Sequence, residues 1–262
     1  MTSYQGGKKR IGKRIYRVIS EIEKILSPDK KLPYFEPFVG MGGVLRHFAR
    51  EPDRKTTACD ANIDLILMWK ALQKGWKPPT NTTREEYERL KYSKEHSPER
   101  AFIGIVASFG NNFFGAYRLD YSDRKYKRKF MKEGYNGLMN ILPEIQSTRF
   151  LNARSYDRFQ PVGKLIYCDP PYVGNKLSSN YFQEFEHEKF WETMREWSKY
   201  NIVIISESIA PVDFKKIWCT ESFLTTGGIK KFNTKHYKDC LFIHKNWENI
   251  FSKADKKNLS LI

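Results

Sequence analysis

Tyr34-Phe35-Glu36-Pro37-Phe38-Val39-Gly40-Met41-Gly42-Gly43 reads as a short strand, a glycine turn and a helix that begins near Val44. Glycines in such a turn let a ligand approach the backbone closely. The next strand-like run, Thr56-Thr57-Ala58-Cys59, ends in Asp60, 20 positions after Gly40. An acid at that place in a Rossmann-type βαβ unit hydrogen-bonds ribose hydroxyls. The plainer reading is that Asp60 caps the helix starting near Ile63. A strand, a Gly-x-Gly turn, a helix and an acid closing the next strand predict an α/β sheet domain.

The α/β rhythm extends to both sides of this unit. Before it, apolar residues at 11, 15, 18, 19, 22, 25 and 26 share one face of a helix that begins near Lys8. After it, an amphipathic helix is expected from Ile63 to Lys74. The rhythm then stops. Residues 75–160 hold a capping box at Thr83-Arg84-Glu85-Glu86, helices over Pro98–Phe109 and Gly134–Leu142, and a basic run. It resumes with a strand near Phe150, the apolar run Leu165-Ile166-Tyr167-Cys168, a helix over Glu186–Tyr200 and the buried strand Ile202–Ser206. A helix is expected over Pro211–Trp218. The last two strands are expected around Ser222-Phe223-Leu224 and Cys240-Leu241-Phe242-Ile243. Between them Thr226–Lys231 reads as a loop rich in phosphate-type donors, and Val173–Ser179 reads as a mobile loop. The expected organisation is a discontinuous catalytic domain, 1–74 with 161–250, interrupted by a recognition insertion at 75–160 and followed by a tail at 251–262. An interruption of that size inside a sheet domain is usually functional.

The run 165–168 leads into Asp169-Pro170-Pro171-Tyr172. A carboxylate at the carboxyl end of a strand stands where ligands bind in open α/β sheets. Two prolines remove two N–H donors and leave the carbonyls around them free to accept. An aromatic ring follows. An acceptor carboxylate, a fixed carbonyl and a stacking surface suit an exocyclic amine on a planar ring. The tetrapeptide alone is also compatible with a rigid turn after a strand.

The 262 residues carry a formal net charge of +16, with 40% hydrophobic and 15% aromatic residues, so a real core and a polyanionic partner are expected. Arg124 to Lys132 holds six cations with aromatics between them, a run that repels itself unless a polyanion lies against it. An exposed basic loop is the bland alternative. No apolar run is long enough to span a membrane, and the N-terminus is polar and basic, unlike a secretory signal. The four cysteines show no metal-ligand spacing, so no metal is expected and they read as core thiols of an intracellular protein.

Four motifs in order resemble the Dam-type, alpha-group (D12 class) DNA adenine N6-methyltransferases. They are Tyr4-Gln5-Gly6-Gly7-Lys8, Phe35–Gly43, Cys59-Asp60-Ala61-Asn62 and Asp169-Pro170-Pro171-Tyr172, with Ser155-Tyr156-Asp157 matching upstream of the last. The similarity reaches to about residue 245. It implies a Rossmann-like S-adenosyl-L-methionine-dependent methyltransferase sheet with an inserted helical, basic target-recognition subdomain. It implies cofactor contacts from Tyr4, Gly7, Lys8, Phe38, Gly40, Asp60 and Asp169, with Asp60 on the ribose. Asp169, Pro170, Pro171 and Tyr172 would act on the N6 amine of a flipped adenine in duplex DNA. Asn112, Arg118, Arg124, Lys125, Lys127 and Arg128 are the expected DNA-binding residues. The resemblance allows for a cognate restriction endonuclease and for a bacterial, phage or viral host. RNA adenine methylation, a catalytically silent DNA-binding module and a nicotinamide dehydrogenase are the rival readings. The last explains neither residues 169–172 nor the charge, and lacks the full Gly-x-Gly-x-x-Gly pattern.

Overall fold

The computed structural model describes residues 8–118, 121–122, 127–173, 185–228, 231–248, 250–251 and 255. Its elements in chain order are α1 (Gly12–Leu26), β1 (Tyr34–Glu36), α2 (Leu45–Phe48), β2 (Thr56–Ala58), α3 (Ile63–Gln73), α4 (Arg84–Tyr92), α5 (Pro98–Val106), β3 (Tyr121–Ser122) and β4 (Lys127–Arg128). Then follow α6 (Phe130–Ile145), β5 (Arg149–Phe150), β6 (Leu165–Cys168), α7 (His187–Ser198), β7 (Ile202–Glu207), β8 (Phe214–Gly228), β9 (Lys231–His244) and α8 (Lys245–Glu248). The main sheet has the strand order β5-β2-β1-β6-β7-β9-β8, and β3 pairs with β4 apart from it. The fold is therefore the expected α/β class.

The chain divides into two compact units. One holds the described residues up to 13 and 36–158, and the other holds 14–35 and the described chain from 159 on. In the second unit β1, β6 and β7 run parallel, with Tyr34 opposite Leu165 and Cys168 opposite Ile205. All four residues of β6 and all six of β7 are buried, which is why β6 and the first four residues of β7 read as apolar runs. β9 closes on β7 antiparallel, with Ile204 opposite Ile243. β8 and β9 form a long hairpin whose register runs from Phe214–His244 to Gly228–Lys231.

In the first unit β2 and β5 are parallel, and helices α3 to α6 fill the region between β2 and β5 in sequence. Their starts follow local chemistry. The Asn62 side chain accepts from Leu65 N–H, Thr83 from Glu86 N–H, and Ser97 from Arg100 N–H with Pro98 in the first turn. The Glu86 carboxylate takes the Thr82 hydroxyl at 2.8 Å. A buried pair between Asp64 and Arg100 ties α3 to α5, and the Ser97 amide also donates to Asp64 at 2.8 Å.

Four expectations change. Residues from Phe214 on are strand, not the end of a helix over Pro211–Trp218. Phe214 and Trp218 are buried, and an interval of four suggests one face of a helix, whereas in β8 a register shift between Lys216 and Trp218 interrupts the alternation. Pairing with β9 decides the matter, and that partner lies far along the chain. For the same reason Thr226, Gly227, Gly228 and Lys231 belong to strands rather than to a donor loop. Cys240 is not a reduced core thiol: it opposes Cys219 directly on β8 and is bonded to it, whereas Cys59 and Cys168 are buried and form no disulfide. The expected loop at 173–179 falls, beyond Val173, outside the described residues. Helix α6 is longer than expected, beginning at Phe130 and ending at Ile145.

Candidate active site

The glycine turn after β1 is built by close backbone approach. Gly40 and Gly42 have φ of +47° and +67°, a region that disfavours side chains. Val39 N–H donates to Cys59 O at 2.9 Å, and Cys59 N–H donates to Glu36 O at 2.9 Å, so the turn hangs beside the end of β2. A Cβ on Gly12 would lie 2.2 Å from the Gly43 carbonyl oxygen, and one on Gly43 would lie 3.1 Å from the Lys8 backbone. The buried Lys8 and the start of α1 are thus packed on the turn. This proximity joins two of the motifs found separately in the sequence. Tyr4 and Gly7 lie outside the described residues.

Asp60 stands at the end of this turn. Its Oδ2 accepts the Gly40 amide at 3.0 Å and its Oδ1 accepts the Asn62 amide at 3.0 Å. The α3 cap is Asn62, so Asp60 does not serve as that cap. Burial raises the Asp60 pKa, and the N–H groups of Asn62, Gly40 and Ala61 oppose that rise. A carboxylate with one N–H on each oxygen keeps further lone pairs for a diol. The acceptor carboxylate and the glycine cradle therefore fit the ribose hydroxyls of a nucleoside. Phe38 lies 5.2 Å from Tyr156 between ring centroids, and Arg154 N–H donates to Asp60 O at 3.3 Å. Residues 154–156 thus adjoin the turn.

Trp69, a residue of α3 that the sequence does not single out, has a direct part here. Its indole N–H donates to Gly40 O at 2.9 Å, and its ring stacks on Phe150 at 5.7 Å. A fully buried Trp with a donor to place was the available signal.

In the second unit Asp169 follows β6 directly and is half-buried, and Pro170 is buried. The Tyr172 hydroxyl donates to Asp239 Oδ1 at 2.9 Å and meets Ser206 Oγ at 2.8 Å. Ser206 ends the apolar part of β7 and Asp239 lies on β9; both are buried. Burial, then the negative charges of Asp169 and Asp239, push the Tyr172 phenol well above its ordinary value. The ring is therefore a neutral, fixed plate. Val173 N–H donates to Glu207 Oε1 at 2.7 Å. Ser206, Glu207 and Asp239 were not singled out from the sequence. Polar residues closing the clearest apolar strand were the signal for the first two; nothing local marks Asp239.

In the first unit Arg118 donates to Val106 O at 2.6 Å, and its guanidinium lies 3.8 Å from the Phe130 ring centroid. Arg128 lies over the same ring at 4.7 Å and pairs with Glu133 at 2.6 Å. These two heads are engaged within the fold as well as being expected DNA contacts. Asn112 is half-buried in a tight turn where its carbonyl accepts Gly115 N–H at 3.0 Å. Lys127 has its backbone on β4, and Arg124 and Lys125 fall outside the described residues. Among the described residues no helix is long and apolar enough to cross a membrane.

A model of the D12 class of N6 adenine-specific DNA methyltransferases matches residues 4–232. The chain belongs to that family. It is a methyltransferase with an α/β fold, and its cofactor is S-adenosyl-L-methionine. No curated relative matches the chain. Solved structures similar to it include a Pyrococcus horikoshii protein assigned as an RNA methyltransferase, at 7% identity and TM-score 0.39, covering 87% of this chain and 81% of that one. Another is precorrin-6y C5,15-methyltransferase from Geobacter metallireducens, at 8% identity and TM-score 0.35, covering 88% and 86%. A third is magnesium protoporphyrin IX methyltransferase from Synechocystis with bound S-adenosylmethionine, at 10% identity and TM-score 0.34, covering 90% and 81%.

Proposed function

We propose that the chain methylates the N6 amine of adenine at a specific sequence in duplex DNA. The observation that carries this reading is the stretch at the end of β6: a half-buried carboxylate, two residues without N–H, and a tyrosine fixed by its hydroxyl. The adenine amine is a poor nucleophile because its lone pair is delocalised into the ring. Asp169 accepts one N6 hydrogen and the Pro170 carbonyl accepts the other. That pair of acceptors favours a more tetrahedral nitrogen with its lone pair directed outward. When bound, S-adenosylmethionine would supply the methyl group as a sulfonium, to be transferred to that nitrogen with the neutral thioether as leaving group. Asp169 stabilises the positive charge that gathers on nitrogen until its proton is released to solvent. Holding the amine in this geometry supplies most of the rate.

A stacked adenine cannot reach the site, so it is extruded from the duplex, at a cost of a few kcal/mol. The Tyr172 ring stacks on the extruded base and offsets part of that cost. Asn112, Arg118 and Arg124 read bases, and Lys125, Lys127 and Arg128 contact the backbone phosphates. The +16 charge supports this partner. Where a restriction endonuclease shares the site, the modification would shield the DNA from it. The test is transfer of a tritiated methyl group to duplex DNA and to structured RNA, with the product nucleoside identified. Label in DNA N6-methyladenine is expected. Label only in RNA, or on cytosine, would overturn the reading.

For the cofactor, Tyr4, Gly7, Lys8, Phe38, Gly40 and Asp60 form the binding set, with Asp60 accepting from the ribose hydroxyls. Asp60→Ala is expected to weaken S-adenosylmethionine binding by roughly tenfold to a hundredfold, the usual worth of hydrogen bonds to a charged acceptor. Calorimetric titration reads it. Because burial raises the Asp60 pKa, its carboxylate protonates earlier than an exposed aspartate as pH falls. Cofactor affinity should therefore decline on the acid side, and the Ala variant should lose that decline.

A further inference from the structure

We propose that Glu207 positions the catalytic loop by holding the Val173 amide, and so sets where the Asp169 carboxylate and Pro170 carbonyl stand. This rests on the reading of residues 169–172 as the reacting loop. Pro170 and Pro171 have no N–H, so the middle of that loop cannot be tied down by backbone donors of its own. Two attachments follow the prolines. The Tyr172 hydroxyl is held by Ser206 and Asp239, and the Val173 amide is held by Glu207 Oε1 at 2.7 Å. Both lead to the same strand pair, because Ser206 and Glu207 close β7 while Asp239 lies on its neighbour β9, next to Cys240, the residue opposite Glu207.

Glu207 is nearly inaccessible, at 1% exposure, and among the described residues no lysine or arginine pairs with it. Its second oxygen accepts the Ser208 amide, and the Ser208 hydroxyl lies at 3.2 Å. The charge nearest to it in effect is Asp169, of the same sign. A buried carboxylate beside another carboxylate is a costly residue for packing alone. What it does supply is reach: from the strand end to the first amide after Tyr172. A strand end is a rigid support, and small displacements of a reacting group cost rate steeply.

The experiment separates reach from charge. Glu207→Asp keeps the charge and shortens the side chain, whereas Glu207→Gln keeps the length and an acceptor oxygen but removes the charge. Amide hydrogen exchange at Val173 is read on the full chain without substrate, and kcat for adenine methylation is read beside it. Glu207→Asp and Glu207→Ala should lose exchange protection at Val173 and lower kcat by roughly tenfold to a hundredfold, with cofactor Kd unchanged. Glu207→Gln should recover most of both. If the Ala variant does not fold, the Asp and Gln pair decides. An active Asp variant beside an inactive Gln variant would show that charge, not reach, matters, and would overturn the proposal. So would a fall in kcat with Val173 still protected. Failure of the wild-type chain to methylate DNA would sink the functional reading alone, since protection at Val173 is measured independently of it.

Discussion

Asp169→Ala is expected to lower kcat for methyl transfer by at least about a thousandfold, as removal of the main electrostatic stabiliser of a developing charge does. The reason lies in the chemistry of the amine. Nothing else in the tetrapeptide carries charge, and the two prolines contribute only carbonyls. Single-turnover kinetics with saturating DNA and cofactor would isolate the chemical step. Binding of duplex DNA, measured by anisotropy, should change little, because the residues proposed to meet the phosphates lie elsewhere in the sequence. Asp169→Asn keeps an acceptor oxygen but cannot balance a cationic nitrogen, so it should lie nearer to the Ala variant than to wild type. A kcat for Asp169→Ala within a few-fold of wild type would remove this residue from the mechanism.

Gly12→Ala is expected to be the most damaging small change outside the catalytic loop. Its Cβ would fall 2.2 Å from the Gly43 carbonyl oxygen, and that obstacle is backbone, not a side chain that can swing away. The start of α1 or the glycine turn must therefore shift. Overpacking of this kind costs about 1–3 kcal/mol or more, which at this chain length lowers Tm by roughly 2–4 °C per kcal/mol. Displacing Gly43 also disturbs the turn whose Gly40 amide holds Asp60, so cofactor affinity should fall along with Tm. Lys13→Ala, one residue on and exposed, is the control and should leave both near wild type. Thermal melts with and without S-adenosylmethionine separate the two effects. Equal Tm for Gly12→Ala and Lys13→Ala would contradict the close approach.

These two sites illustrate what a sequence discloses. The β1 turn, Asp60 and the stretch after β6 are legible because each is local: a short strand-like run closed by glycines, by an acid, or by an acid and two prolines. Buried strands such as β7 declare themselves by an apolar run, here Ile202-Val203-Ile204-Ile205. The β8–β9 hairpin is not local. The interval between Phe214 and Trp218 suggests a helix face, and only the pairing with residues 231–244, with its register shift between Lys216 and Trp218, makes the segment a strand. The Cys219–Cys240 bond depends on that same register. Trp69, Ser206, Glu207 and Asp239 escape for a further reason: each supports a loop from another element through side-chain reach, which no spacing rule encodes. The Asp60 ambiguity was resolvable only by seeing Asn62 take the cap.

The central claim is that adenine N6 in DNA receives the methyl group. The most direct measurement is nucleoside mass spectrometry of DNA from cells lacking their own adenine methylation, expressing either the wild-type chain or Asp169→Ala. N6-methyladenine at one recurring sequence in the first and background in the second is the predicted result. Unmodified DNA from the wild-type culture, or equal modification in both, would contradict it.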